Sequence, residues 1–150
     1  MSTTCPECGA ALGENSSCQS IFDQLLVLEF SDPAYGEVHM LTVACFMIQH
    51  GRYSDEAMAW IERQLRLNLE GGIPPEQIRQ QAARLADQGR RTWRVVRQPG
   101  VAPLPKIAWS MTIADVAAQY RDAESYCELV KKWARLTLLE MSPYSSGHSQ

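Results

Sequence analysis

The sequence predicts a mainly α fold: a single-domain helical bundle with a zinc knuckle at its N-terminus. Two observations carry that expectation. Six segments place apolar residues at helical spacing, each opened or closed by residues that start or stop helices. Together they exceed the one-third helix of an ordinary domain. In addition, Cys5-Pro6-Glu7-Cys8-Gly9 sets two thiols two residues apart with a glycine behind the second. Such a turn aims backbone amides at sulfur and lets both thiolates reach one ion.

The first helix is expected from about Cys18 to Phe30, capped by Ser16 or Ser17, with Ile21, Phe22, Leu25 and Leu28 as its apolar stripe. Asp32-Pro33 opens the second, which runs to His50 and stops at Gly51; Val38, Leu41, Cys45 and Ile48 form its stripe. Ser54 caps the third, with Asp55 and Glu56 where the helix dipole favours acids and Met58, Ile61, Leu65 and Leu69 inward. Gly71-Gly72 ends it. Pro74-Pro75 opens a fourth, more polar helix that Gly89 closes. Pro99-Gly100, Pro103 and Pro105 leave residues 90–111 irregular, with a short strand over Thr92–Val96. Thr112 and Asp115 form a capping-box pattern before a short fifth helix, Ile113 to Tyr120. The last helix spans about Ala123 to Met141 and carries Tyr126, Leu129, Trp133 and Leu136. The expected organisation is one helical domain over 1–141, containing the knuckle over 5–18, with a disordered tail over 142–150.

Chain length suffices for one domain with a core of its own. A net charge of -3 gives no overall footprint for nucleic acid or an anionic membrane. The longest apolar-rich run, Leu41 to Ile48, falls far short of the ~20 residues that cross a bilayer. Met1-Ser2-Thr3-Thr4 shows neither a basic nor an apolar leader region, so no secretion signal is expected. Five cysteines would leave one over in a disulfide scaffold; three ligands and two buried thiols are the simpler account, which places the chain in the cytoplasm.

Several motifs together resemble a known group. The order Cys5-Pro6-Glu7-Cys8-Gly9, Cys18, Val38-His39-Met40-Leu41-Thr42-Val43, Gln49-His50, Thr112-Ile113-Ala114-Asp115-Val116, Trp133-Ala134 is similar to that of an uncharacterised family of small bacterial proteins, a domain of unknown function. The resemblance covers most of the chain and implies no known activity. Members often carry Pro after the Gln-His pair, where this chain has Gly51. That changes how the helix stops and leaves both histidines in place.

Cys5 and Cys8 point to a metal. A thioredoxin-like dithiol needs a strand before it, and only four residues precede Cys5; a chance pair in a loose terminus is the other alternative. Zinc is preferred for a thiolate-rich site, with iron as competitor. Cys18, in the series Cys-x2-Cys-x9-Cys, is the expected third ligand, against its reading as a small buried hydrophobe. The fourth is His50 or His39. Eleven residues apart, they share a helical face but stand ~16 Å apart along it, so one ion cannot take both. In an antiparallel hairpin Cys18 lies level with about Cys45 and the knuckle reaches on toward His50, which favours His50. Cys45 and Cys127 read as core, and His148 carries no role.

His39 shares its face with Thr42, Phe46 and Gln49, a mixed strip that suggests a groove; the alternative is a histidine bonded to a carbonyl or acid of a neighbouring helix. Arg79, Arg84, Arg90, Arg91, Arg94 and Arg97 gather around Trp93 and would suit nucleic acid, though a solvated face is the plainer account in an acidic chain. There is no phosphate loop, no His-Glu-x-x-His, no serine elbow and no distinctive acid pair. The function expected is a non-catalytic binding or regulatory module with one structural zinc, open to a protein partner and not to a membrane. A zinc hydrolase using His39 or His50 at an open metal position, and a nucleic-acid binder through Arg79–Arg97, are the alternatives.

Overall fold

The structure, a computed structural model, describes residues 3–70 and 107–145. The expected fourth helix, the strand over Thr92–Val96, the arginine cluster with Trp93, the Gly71-Gly72 stop and His148 lie outside the described residues. Within them are six helices and one short ladder. Strands β1 (Thr3–Thr4) and β2 (Ala11–Leu12) pair antiparallel, Thr3 opposite Leu12 and Thr4 opposite Ala11. The helices are α1 (Cys18–Ser31), α2 (Pro33–Gly36), α3 (His39–Gln49), α4 (Asp55–Leu69), α5 (Ile113–Gln119) and α6 (Ala123–Ser145).

Local chemistry accounts for most boundaries. Ser17 caps α1: its hydroxyl accepts from Ser20 N–H, and Ser20 Oγ accepts from Ser17 N–H, both at 3.1 Å. Ser54 caps α4 by accepting from Ala57 N–H at 3.1 Å, with Asp55 and Glu56 in the first turn. Asp115 accepts from Thr112 N–H at 2.8 Å to open α5. The chain turns away from α3 at Gly51, which has φ 62°.

One apolar core unites these elements. α6 packs against α3, α4, α2 and α5, and α1 against α2 and α5. Trp133, Tyr126, Leu41, Leu65, Ile113, Val116, Val130 and Met141 are fully buried at its centre. The stripes on Val38, Leu41, Cys45, Ile48 and on Met58, Ile61, Leu65 all face inward. Cys127 is buried too, its thiol donating to the Ala34 carbonyl at 3.3 Å.

Two expected helix bounds need correction. The second helix is not continuous from Pro33 to His50: it breaks at Glu37–Val38 into α2 and α3. Gly36 explains the break. A Cβ there would sit 2.5 Å from the Glu29 carbonyl oxygen, so α2 is pressed against the end of α1 where only glycine fits. Glycine is also a poor helix former, and the chain turns beyond it. The last helix does not end at Met141 either, because α6 continues to Ser145. Arg66 donates to the hydroxyl of Ser142, which in turn donates to Glu62, and this ties the added turn to α4.

The break also sets the register of α1 on α3. Cys18 meets His50, Phe22 stacks on Phe46, and Glu29 bonds His39. The partners run in opposite directions, so the pair is antiparallel. Residues 32–38 are spent on the connection, and Cys18 therefore lies level with His50 rather than with Cys45.

Candidate metal centre

The centre is built where three segments converge. The knuckle is a tight turn: Gly9 N–H donates to the Cys5 carbonyl at 2.9 Å, and Cys5 N–H to the Ala10 carbonyl at 2.9 Å. Gly9 stands at φ 82°, which an L side chain adopts only under strain. Cys8 N–H points at Cys5 Sγ, 3.5 Å away. Cys18 is the first residue of α1, and His50 follows the last turn of α3.

Cys5, Cys8, Cys18 and His50 bring one donor atom each to within 4.8 Å of all the others, and all four residues are buried. Cys8 Sγ and Cys18 Sγ are 3.6 Å apart, and Cys5 Sγ and His50 Nε2 are 3.7 Å apart. A tetrahedral ion with bonds of about 2.3 Å to sulfur and about 2.0 Å to nitrogen separates its donors by roughly 3.5–3.8 Å. The Cys8–Cys18 and Cys5–His50 distances match that spacing and the other pairs lie within 4.8 Å, so the four residues fit a metal ion.

Around the donors, the protein fixes the imidazole. His50 Nδ1 donates to the Phe46 carbonyl at 2.7 Å, which leaves Nε2 with its lone pair toward the thiols. The ring stacks on Phe46 at 4.3 Å, and Phe46 stacks on Phe22 at 4.0 Å with planes 4° apart. Arg52 pairs with Glu7 at 3.3 Å and lies over the Phe46 ring, joining the knuckle to the loop after α3. Burial pushes the His50 ring below its ordinary pKa, so it is neutral at pH 7. Burial pushes the Cys8 thiol up to about 11 and, with the charge of Cys8, raises Cys18 as well. Burial also acts upward on Cys5, but N–H groups of Cys8 and Glu7 outweigh it and leave that thiol below its ordinary value. A central cation reverses this balance by favouring every thiolate.

His39 is not part of the cluster. Its Nδ1 lies 2.7 Å from Glu29 Oε1, and the same carboxylate accepts from Thr42 Oγ1 at 2.6 Å and from the Tyr126 hydroxyl. The suspected groove is replaced by core contacts along the whole strip. Thr42 serves Glu29, Phe46 is buried in the ring stack, and Gln49 donates to the Met111 carbonyl at 2.8 Å and to Thr137 Oγ1 at 3.2 Å. Sequence reading passed over Glu29. Its signal was an acid inside the apolar run Leu25-Leu26-Val27-Leu28-Glu29-Phe30.

A mainly helical bundle with a three-cysteine, one-histidine cluster between its N-terminal knuckle and the first helix pair is thus the class that fold and site define. The chain belongs to DUF5946, a family of unknown function whose model matches residues 3–142. No curated protein and no solved structure matches it. Among the described residues no helix is long and apolar enough to cross a membrane.

Proposed function

We propose that this chain is a non-catalytic binding or regulatory module of the cytoplasm, held in shape by one structural zinc on Cys5, Cys8, Cys18 and His50. The observation that carries the reading is the convergence of four buried donors from three segments to within 4.8 Å of one another. Four protein donors complete the sphere of zinc, and closed thiolate-rich spheres are structural, whereas catalytic sites keep a position for water. The arrangement therefore favours a staple over a hydrolase. Besides the buried side chains of Ala10 and Leu12, the N-terminal arm is held by a ladder of two residues a side, which is marginal on its own. Metal binding there supplies folding energy directly. Five cysteines without a disulfide among them support a reducing compartment.

Elemental analysis of protein purified without added metal tests the reading. One zinc per chain is expected, lost in Cys5→Ser, Cys8→Ser and His50→Ala and kept in His39→Ala. Full zinc content in Cys5→Ser and Cys8→Ser would remove the site. Iron in place of zinc would change the metal and keep the ligands.

A further inference from the structure

We infer that Cys8 and Cys18 form an oxidative modification site, a disulfide made by a hydroperoxide that ejects the metal from the knuckle. The inference rests on the metal reading above and adds a regulation of that same centre.

Two of the thiols stand face to face within the cluster. Cys8 Sγ faces Cys18 Sγ at 3.6 Å, while Cys5 Sγ faces His50 Nε2 at 3.7 Å. A disulfide needs its sulfurs at about 2.05 Å, so the first pair lacks only a short approach. One side of that approach is fixed and the other gives. Cys18 begins a capped helix that runs to Ser31. Cys8 lies on the turn of an arm whose only ladder joins Thr3–Thr4 to Ala11–Leu12. Between them Gly13, Glu14 and Asn15 are exposed, with Asn15 at φ 63°. Of the parts around the centre this arm has the fewest backbone bonds, and its local opening admits a small oxidant to sulfurs that are otherwise buried. The thiols outside the cluster do not compete: Cys45 is fully buried in the core, and Cys127 bonds the Ala34 carbonyl.

The step balances with the oxidant named. One thiolate attacks a peroxide oxygen, the O–O bond breaks, and a sulfenic acid forms with loss of hydroxide. The second thiolate attacks that sulfur, the S–S bond forms, and a second hydroxide leaves. Two thiolates, one hydrogen peroxide and two protons give one disulfide and two waters. Two electrons pass from sulfur to oxygen. The ion then keeps only Cys5 and His50 of its four donors and dissociates. A dithiol reductant returns both thiols and restores the site.

The test uses the full chain with its metal counted beforehand. Hydrogen peroxide is titrated while a chromophoric chelator reads free zinc, and peptides are mapped by mass before and after dithiothreitol. The expected result is one zinc released per peroxide consumed, a Cys8–Cys18 peptide link, and rebinding after reduction. The double variant Cys45→Ala, Cys127→Ala is expected to behave the same way. Retention of zinc at a tenfold excess of peroxide overturns the inference, as does a disulfide containing Cys5, or release with sulfinic acid as the sole product. In each of those results the metal reading stands. Protein that carries no zinc before oxidant is added overturns the metal reading and this inference together.

Discussion

Glu29 Oε1 lies 2.7 Å from Nδ1 of His39, and through that contact the end of α1 is pinned to the start of α3. The side chain of Glu29 is wholly buried while that of His39 keeps a partly exposed edge. Burying a carboxylate is costly unless donors surround it. Here His39, Thr42 and Tyr126 supply them from three positions on two other helices. The acid thus acts as a polar pin through α1, α3 and α6, at the opposite end of the α1–α3 pair from the candidate metal centre.

His39→Ala is expected to lower the unfolding free energy by ~1–3 kcal/mol, because a buried acceptor loses its partner. Zinc content should not change, since the cluster lies at the far end of the helix pair. Glu29→Ala should cost more, because His39 and Tyr126 both lose their partner while Thr42 keeps only the Val38 carbonyl at 3.2 Å. Urea midpoints measured beside zinc counts check this. An unchanged midpoint in His39→Ala would reopen the case for a functional groove.

That pin shows where sequence reading stops. The motif Val38-His39-Met40-Leu41-Thr42-Val43 with Gln49-His50 was visible as a helix with polar residues at both ends. That His50 rather than His39 stands beside the three cysteines was legible too, because helix length alone separates them and the hairpin sets their ends. The destinations of His39, Thr42 and Gln49 were not legible. The donors to Glu29 come from 10, 13 and 97 residues away, and the partners of Gln49 from 62 and 88. No local pattern encodes such distances. The break between α2 and α3 was hidden for the same reason: it depends on the approach of Gly36 to the Glu29 carbonyl, a tertiary contact. The knuckle was the most legible part, since Cys5 and Cys8 are spaced by the turn they make.

Gly36→Ala should therefore destabilise. Its methyl group would stand 2.5 Å from a backbone oxygen, closer than any real contact, so α2 or the end of α1 must shift. A cost of roughly 1–3 kcal/mol is expected for such overpacking. Gly13→Ala is the control: a Cβ there meets nothing within 4 Å, and its effect should stay within about 0.5 kcal/mol. Equal melting temperatures for the two variants would refute the tight contact.

Chelation should unfold one end of the molecule and spare the other. Residues 3–17 are held by the two-residue ladder, the Arg52–Glu7 pair and the four donors. The exposed ion pair contributes little. Removing the metal is expected to abolish amide protection over that arm while far-UV dichroism stays close to that of the loaded protein. Hydrogen exchange resolved by peptide checks it. Loss of protection throughout α4 and α6 on chelation would show that the ion supports the whole bundle rather than its N-terminal arm.

The thiols give the two forms opposite responses to pH. In metal-free protein burial raises Cys8 to about 11 and Cys45 to about 12, from an ordinary 9.0. A raised folded pKa means that the folded state holds its proton longer than the unfolded chain does. The resulting stability is complete below about pH 9 and is lost as pH rises through the folded values. Metal-free protein should therefore weaken progressively between pH 9 and 12. With metal bound, Cys8 is already a thiolate, so its share is gone, and the shares of Cys45 and of the other buried groups raised by burial are still lost across that window. At the acid end the order reverses. Binding needs deprotonated thiols and a neutral His50, so protons compete with the ion and the advantage of the loaded form shrinks as pH falls. Melting temperatures of loaded and chelated protein, measured across pH, should thus diverge from the acid end into the alkaline range. Parallel curves would mean that these thiols do not bind the metal.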